Sequence, residues 1–242
     1  MSLQSKGIES GTDKAMFGYL PIYEKYLEKY LHIENINILE IGILGGSSLK
    51  MWRSYFPKAK VLGSDIQTYG LNIRGETVNS SFFESDSNSK FYLCDQSKED
   101  QLKQMCEDIV KDTGRGIDIF IDDGSHFQPD MMLTLGVLFP YLSEKGIFIL
   151  EDICTEEGMI KNEELMRGGA HWWGSDEDPD LSSCVERTLL NYKETGNMVS
   201  PYLSEEMSTY LNNNISSCDY YQAQVPPITP QGTSSLAVLT KK

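Results

Sequence analysis

The chain has 242 residues and a formal net charge of −15, from 21 Lys and Arg against 36 Asp and Glu. This acidic balance argues against a nucleic-acid partner, because phosphate backbones are bound through basic surfaces. Scattered cysteines without a CxxC pair, no long apolar stretch and a polar Met1–Gly11 predict a cytoplasmic protein without a disulfide framework, membrane span or secretory signal.

The first 34 residues are predicted to form a helical cap, residues 1–34, ahead of a main domain at 35–242. Gly11-Thr-Asp-Lys14 is a turn and helix-cap cluster, and Phe17–Leu31 carries apolar residues at helical spacing. Pro21 falls in the first turn of this helix, where proline is tolerated. A helix that only packs on the sheet, with no part in function, would show the same spacing of apolar residues.

A strand, a glycine-rich turn and a helix follow. Asn37–Gly42 is the predicted strand, Gly45–Ser48 lie in the turn, and Leu49–Tyr55 is the helix. Glycines let a ligand approach the backbone, and the start of a helix offers free N–H groups. The spacing matches neither a GxGxxG dinucleotide motif nor a phosphate loop. The second strand, Lys60–Asp65, ends in an acid at the distance expected for a ribose-binding carboxylate.

Strands and helices are predicted to alternate as far as Leu150. The polar stretch Gln67–Lys90 is predicted as a loop with a short helix, or as a flexible excursion. The elements beyond it are strands at Phe91–Asp95, Ile117–Asp122 and Gly146–Leu150 and helices from Ser97 or Lys98 to Thr113 and at Gln128–Leu142. This alternation predicts a doubly wound, mostly parallel α/β sheet with right-handed crossovers.

The C-terminal third is less regular. Residues 153–180 show little periodicity, so they are predicted either as a lid over the acceptor or as a surface insertion. Within them, His171-Trp172-Trp173 would line an acceptor pocket or simply pack. The remaining predicted elements are helices at Leu181–Gly196 and Ser200–Leu211 and an antiparallel hairpin of Ile215–Tyr221 and Ser235–Thr240 at the sheet edge.

Acidic side chains follow two of the predicted strands. Asp122, Asp123 and His126 come at the end of one strand, and Glu151-Asp152 at the end of the next. Ligands bind just beyond the carboxyl ends of strands in open α/β sheets. Carboxylates that converge there repel one another unless a hard cation neutralises them. The alternatives are a capping or core role for His126 and a helix N-terminal acid pair for Glu151-Asp152.

These motifs together resemble a known enzyme family. The stretches similar to class I S-adenosylmethionine-dependent methyltransferases are Glu40-Ile-Gly-Ile-Leu-Gly-Gly-Ser-Ser, Asp65, Asp95-Gln96, Asp122-Asp-Gly-Ser-His126 and Glu151-Asp152. More narrowly, they resemble the metal-dependent sugar O-methyltransferases of macrolide and anthracycline pathways, as does Gly11-Thr-Asp-Lys14 followed by Tyr19 and Tyr23. The resemblance covers about Gly11–Asp152, and beyond it only the closing hairpin.

The resemblance implies a cofactor, S-adenosyl-L-methionine, and residues that bind it. Its methionine and ribose part would be held by Glu40, Gly42 and Ser47, its ribose hydroxyls by Asp65, and its adenine by Asp95 and Gln96. Lys14 and Tyr19 would close over the cofactor, and Asp122 would orient the site or the cofactor rather than bind metal.

The resemblance also implies a metal centre, in which Asp123, Glu151 and Asp152 bind Mg²⁺ and His126 is the general base. An alkyl hydroxyl, with a pKa of about 16, cannot be ionised by a histidine of about 6.5 alone. A divalent cation lowers the pKa of a bound hydroxyl and can hold two neighbouring oxygens. Oxygen ligands favour Mg²⁺ but also suit Mn²⁺ or Ca²⁺. The family carries aromatic residues after the acidic pair, whereas Ile153-Cys154-Thr155 stand here, so the acceptor pocket is expected to differ.

The expected function is therefore Mg²⁺-dependent O-methyl transfer to a hydroxyl of a small molecule, a sugar or a glycosylated natural product. The alternatives are a catechol acceptor, a cephalosporin-hydroxylase-like oxygenase that uses iron and 2-oxoglutarate, and a binding protein that keeps the cofactor pocket without turnover. Nucleic-acid and membrane partners are not expected, and a homo-oligomer is left open.

Overall fold

The computed structural model describes residues 2–66, 82–83, 86–155, 183–222 and 234–242. Its strands are β1 (Asn37–Ile41), β2 (Lys60–Asp65), β3 (Ser89–Leu93), β4 (Ile117–Asp122), β5 (Leu142–Cys154), β6 (Ile215–Gln222) and β7 (Ser234–Lys241). Its α-helices are α1 (Leu3–Ser10), α2 (Leu20–Leu27), α3 (Ser47–Tyr55), α4 (Glu99–Thr113), α5 (Gln128–Leu138), α6 (Val185–Thr195) and α7 (Glu205–Asn214).

The described strands form one sheet in the order β3-β2-β1-β4-β5-β7-β6. β1 pairs in parallel with β2 and β4, and the parallel part continues to β3 on one side and β5 on the other. β7 pairs antiparallel with β5, and β6 pairs antiparallel with β7. The predicted doubly wound, mostly parallel sheet with a C-terminal antiparallel hairpin is confirmed. Because the strand order reverses between β1 and β4, a ligand crevice is expected at their carboxyl ends.

The sheet is buried on both faces. Phe120 of β4 belongs to one core cluster, whereas Ile119 and Ile121 on either side of it belong to the other. Helices α4 to α7 cover the first face, where Phe120 stacks on Phe148 at 4.7 Å between ring centroids. Helices α1 to α3 cover the second face, with Trp52 fully buried. Burial of each large apolar side chain contributes about 1.5–3 kcal/mol, so packing on both faces fixes β4 and the acidic turn that follows it.

The N-terminal helices differ most from the sequence prediction. Helix α1 was not expected, because its eight residues include only two large apolar ones. It packs closely against Leu20 of α2 because Gly7 has no side chain. A Cβ at Gly7 would lie 2.1 Å from Cδ1 of Leu20. The helix predicted at Phe17–Leu31 is shorter, since Gly18 has a φ of +75° ahead of α2 and the chain tightens into a 3₁₀ turn after it.

Other elements shift by a few residues for local reasons. β5 is longer than the predicted Gly146–Leu150 because β7 pairs along it as far as Cys154. The helix predicted to reach Leu142 ends four residues earlier, where a 3₁₀ turn containing Pro140 begins. Helix α7 starts later than predicted because the Ser204 hydroxyl caps it by accepting a hydrogen bond from the Met207 N–H.

Several predictions lie outside the described residues. They are most of the excursion at Gln67–Lys90, the lid at 153–180 beyond Thr155, and His171, Trp172 and Trp173. None of the described helices combines the length and the apolar character that a bilayer span requires.

Candidate active site

Gly42 at the end of β1 fixes the position of Asp123 at the end of β4. The Asp123 N–H donates to the carbonyl of Ile41 at 3.0 Å, and Gly42 has a φ of +81°. A Cβ at Gly42 would lie 1.9 Å from the carbonyl oxygen of Asp123. Only glycine allows both the left-handed conformation and this close approach, so the glycine-rich turn shapes the acidic turn beside it.

Gln96 holds the turn that follows β4. Its side-chain amide donates to Oδ1 of Asp122 at 2.7 Å and accepts from the N–H of Ser125 at 2.8 Å. A Cβ at Gly124 would lie 2.0 Å from Oε1 of Gln96, so a side chain there would push the Gln96 amide out of these hydrogen bonds. Burial raises the pKa of Asp122 to about 7, against the hydrogen bonds from Gly124 and Gln96, which lower it. Asp122 therefore faces the interior and braces the turn.

Asp123, His126 and Asp152 come together at the ends of β4 and β5. Nε2 of His126 lies 3.2 Å from Oδ1 of Asp123 and 3.8 Å from Oδ2 of Asp152. One ligand atom from each of the three lies within 4.8 Å of the others. Burial alone would lower the pKa of His126, but the hydrogen bond to Asp123 and the charge of Asp152 raise it to about 9. The group can therefore hold a cation or move a proton.

Glu151 is buried, on the Lys14 side of this group. Its carboxylate lies 2.8 Å from the ammonium of Lys14 and accepts a hydrogen bond from the hydroxyl of Tyr23. Burial raises the pKa of Glu151 well above its usual range, although Lys14 acts in the opposite direction. Among the described residues, the set whose ligand atoms lie within 4.8 Å does not include Glu151. Its part in metal binding stays a prediction.

Lys14 and Tyr19 contact the acids but are not themselves among the residues that line the cavity described below. The Lys14 ammonium also contacts Oδ2 of Asp123, and Tyr19 donates its hydroxyl hydrogen to Oδ1 of Asp152 at 2.7 Å. Burial alone would lower the pKa of Lys14, but its carboxylate neighbours raise it well above the usual range. Sequence reasoning gave Tyr23 no role, although Tyr19 and Tyr23 are four residues apart and so share one face of a helix.

A cavity of about 810 Å³ opens at the carboxyl ends of the central strands. Of the predicted cofactor residues, the cavity lining includes Gly42, Asp65, Asp95 and Gln96, and it also includes Asp123, His126 and Asp152. Its volume lies within the range of small-molecule sites, about 300–1,000 Å³. These four predicted cofactor residues and the acid–histidine group therefore border one space.

Two carboxylates in this cavity order the loops around it. Oδ2 of Asp65 accepts from the N–H groups of Ile43 and Leu44 at 3.2 and 3.3 Å. Oδ1 of Asp95 accepts from the N–H and the hydroxyl of Ser97 at 2.9 and 2.7 Å, and these bonds lower the pKa of Asp95. Both acids hold backbone beside the cavity and still line it.

Four other predicted cofactor residues are absent from the cavity lining, together with Asp122. Glu40 is fully buried, accepts from Nε1 of Trp52 at 2.5 Å and lies 3.4 Å from the Lys14 ammonium. Ser47 is the first residue of α3. The cofactor roles of Glu40, Ser47, Lys14 and Tyr19 stay predictions.

Apolar residues that sequence reasoning did not select also line the cavity. They are Leu44, Ile66 and Phe127, all exposed. Leu44 lies inside the glycine-rich motif, and Ile66 and Phe127 directly follow Asp65 and His126, which is the signal that could have identified them. Leu44, His126 and Asp152 have φ values of 43°, 60° and 51°, and positive φ is costly for residues other than glycine. Such strained positions cluster at ligand sites.

The residues present fit both a hard divalent cation and a nucleoside-containing cofactor. Asp123 and Asp152 offer carboxylate oxygens, the ligand type that Mg²⁺ prefers, next to a third acid at Glu151. The turn at Gly42 brings backbone to the edge of a cavity that carries a carboxylate at the end of β2. This is the arrangement by which α/β folds hold a ribose.

Several curated proteins that are similar to this chain in sequence are methyltransferases. No family model matches it. Mycinamicin VI 2''-O-methyltransferase of Micromonospora griseorubida is 29% identical over 186 residues, covering 72% of the chain and 38% of that relative. L-olivosyl-oleandolide 3-O-methyltransferase of Streptomyces antibioticus is 31% identical over 140 residues, covering 55% of the chain and 32% of that relative. The chain thus spans less than half the length of these curated relatives.

Solved structures share the fold. The MycE methyltransferase of the mycinamycin biosynthetic pathway, in complex with Mg and SAH, superposes with a TM-score of 0.65 at 20% identity, covering 100% of the chain and 55% of MycE. An O-methyltransferase from Bacillus cereus in complex with SAH gives a TM-score of 0.51 at 16% identity, covering 92% of the chain and 81% of that enzyme. The resemblance found in the sequence is confirmed: the chain is a relative of the sugar O-methyltransferases of macrolide and tetracenomycin pathways and has the class I methyltransferase fold.

Proposed function

We propose that the protein is an S-adenosyl-L-methionine-dependent, Mg²⁺-dependent O-methyltransferase acting on a hydroxyl of a small molecule, a sugar or a glycosylated natural product. One observation carries the proposal: the cavity at the ends of β1 and β2 also reaches Asp123, His126 and Asp152. Cofactor, cation and acceptor would therefore meet in one place. The names of the curated relatives describe O-methyltransferases that act on sugar hydroxyls, and this supports the same substrate class.

The chain's own residues would bind and orient the reactants. Gly42, Asp65 and Asp95 would hold the cofactor, and Asp123 and Asp152 would hold the cation, with Glu151 as the third predicted acid. When bound, the cofactor supplies the methyl group and the cation makes an acceptor hydroxyl acidic. Orientation matters because methyl transfer is an in-line displacement, and correct placement of two reactants supplies much of the acceleration.

His126 would take the acceptor's proton once a bound cation neutralises Asp123 and Asp152, because it is these carboxylates that raise the pKa of the ring to about 9. Its Nε2 faces the two carboxylates across 3.2 and 3.8 Å, at the edge of the same cavity. A base in this position must reach the hydroxyl directly or through one water molecule. Asp123 orients the ring by its contact with Nε2, and the turn that Gln96 holds keeps both residues at the end of β4.

The proposal is tested by a methyl-transfer assay with S-adenosyl-L-methionine and a panel of deoxysugar, glycosylated macrolide and catechol acceptors. Turnover is expected with MgCl₂ and is expected to disappear with EDTA and return when MgCl₂ is restored. Asp112→Asn is the matched carboxylate control, because Asp112 is exposed, does not line the cavity, and makes its side-chain hydrogen bonds with Lys90 and Tyr92. This variant should keep full turnover.

Other outcomes assign other functions. Turnover that depends on oxygen, iron and 2-oxoglutarate would replace the proposal with a hydroxylase. Binding of the cofactor by calorimetry without methyl transfer to any acceptor would indicate a binding protein instead. Turnover that is equal in EDTA and MgCl₂ would contradict the metal part alone.

The division into a cap at 1–34 and a catalytic domain at 35–242 is part of the proposal. Support for it comes from the contacts that Lys14, Tyr19 and Tyr23 make with the acids at the ends of β4 and β5. The proposal also includes a lid function for 153–180, a cytoplasmic location, and a small-molecule acceptor in place of nucleic acid or membrane, in keeping with the net charge of −15.

A further inference from the structure

Side chains from the N-terminal cap contact all three acids that end β4 and β5. The Lys14 ammonium contacts Oδ2 of Asp123 and lies 2.8 Å from Oε1 of Glu151. Tyr19 donates to Oδ1 of Asp152 at 2.7 Å. The acids predicted to hold a cation thus already have hydrogen-bond donors from a segment more than 100 residues away in the chain.

Lys14 is the central group in these contacts. Its side chain is 2% exposed, like that of Glu151, and the buried carboxylate of Glu40 lies 3.4 Å from it. Buried carboxylates are costly unless a positive charge compensates them. Of the described residues, only Lys14 and His126 bring a basic group to Asp123, Glu151 or Asp152 by salt bridge.

Asp123 divides its two oxygens between these two bases. Oδ2 contacts Lys14, whereas Oδ1 lies 3.2 Å from Nε2 of His126, on the side of the cavity. A cation bound by Asp123 on the His126 side would lie within several ångströms of the Lys14 ammonium. Like charges about 5 Å apart repel appreciably even at an effective dielectric constant of about 20. The ammonium and the cation therefore compete for the same negative charge.

We propose that Lys14 is a positioning residue that stands in for the cation in the unloaded site. Its ammonium holds Asp123 and Glu151 together, and by its charge it weakens the binding of the cation that follows. The inference rests on the proposed cation site. It goes beyond that proposal by assigning to Lys14 the control of cation affinity and to the N-terminal cap a part in the metal centre.

The test is the isosteric change Lys14→Met, with Lys50→Met on the exposed surface of α3 as the matched control. Thermal unfolding is measured in EDTA and in MgCl₂, and Mg²⁺ binding by titration calorimetry. In EDTA, Lys14→Met is expected to unfold at a lower temperature than the wild type, because the buried carboxylates lose their counterion. MgCl₂ should restore most of that loss, and the Kd for Mg²⁺ should fall by about tenfold or more.

Lys14→Arg provides the rescue, since it keeps the charge, and its Kd for Mg²⁺ should stay within about threefold of the wild-type value. A purely structural lysine would give a different result: equal losses of stability in both buffers, with Kd unchanged or raised. That result would overturn the inference. A wild-type protein that binds no Mg²⁺ would contradict the proposed function first, and this inference with it.

If the Lys14→Met protein does not fold in either buffer, the double variant Lys14→Met/Glu151→Gln is tested in its place. The double variant removes both charges of the pair. This variant is expected to fold in EDTA, because no uncompensated charge remains at Glu151. Failure of the double variant to fold would show that the methylene packing of Lys14, not its charge, supports the site, and would also overturn the inference.

Discussion

A Cβ atom on Gly42 would lie 1.9 Å from the carbonyl oxygen of Asp123, far inside van der Waals contact. The atom in the way is backbone, so no side-chain rotation can relieve the contact. The end of β1 and the first residue after β4 are therefore in direct contact at the reversal of strand order. Through this contact, the glycine-rich turn and the acidic motif depend on each other.

Gly42→Ala is expected to destabilise the protein by about 3 kcal/mol or more, from the cost of a positive φ and of displaced backbone. The matched control is Gly114→Ala, where φ is +72° but nothing lies within 4 Å of the added Cβ. That control should cost only about 1 kcal/mol. Urea unfolding of both variants checks the difference, and equal losses would show that the contact with Asp123 contributes nothing.

His126→Ala is expected to slow methyl transfer by about 10²–10⁴, the range for loss of a general base. The cofactor should still bind with nearly unchanged affinity, since Asp65 ends β2 and Asp95 follows β3, away from the turn that carries His126. Single-turnover rates and calorimetry with S-adenosyl-L-homocysteine measure the two quantities separately. A rate loss below threefold would remove His126 from the proton-transfer step.

Asp123→Ala is expected to abolish turnover while cofactor affinity survives. The reason is geometric: Asp123 contacts both Lys14 and His126, so its loss removes a predicted cation ligand and the partner that orients the imidazole. The measurements are turnover with excess MgCl₂ and calorimetry with S-adenosyl-L-homocysteine, with circular dichroism to verify the fold. Unchanged turnover would exclude Asp123 from metal binding.

The sheet could be predicted from the sequence because its strands carry their own signal. Ile119–Ile121 and Ile147–Leu150 are apolar runs followed directly by acids, and both strands lie in the parallel part of the sheet as expected. The closing hairpin was also predictable, from two strand-like stretches, Ile215–Tyr221 and Ser235–Thr240, separated by prolines. Helix α1 was not, since its packing depends on the absence of a side chain at Gly7. The absence of a side chain at Gly7 leaves no hydrophobic pattern in the sequence from which this packing could be predicted.

The site could be predicted only in part, because strand ends indicate which residues meet but not which way side chains turn. The convergence of Asp123, His126 and Asp152 follows from the parallel pairing of β4 and β5. The inward turn of Glu151 does not, since it depends on Lys14 and Tyr23, which are distant in sequence. Likewise, the close contact between the Gln96 side chain and Gly124 cannot be seen until the fold brings the two loops together.

The five cysteines are expected to react slowly with a thiol reagent in the native protein. All are buried, and burial raises the pKa of Cys94 to about 11 and those of Cys154 and Cys218 to about 12. The thiolate is the reactive form, and at pH 8 a thiol with a pKa of 11 is ionised to about 0.1%. Because these pKa values are raised, reactivity should increase as the pH rises toward 11.

Ellman's reagent at pH 8 should therefore detect less than one fast thiol per folded chain and five after unfolding in guanidinium. One or more stoichiometric fast thiols before unfolding would contradict the burial of these side chains, whereas fewer than five afterwards would contradict the expectation of a reduced protein without disulfides.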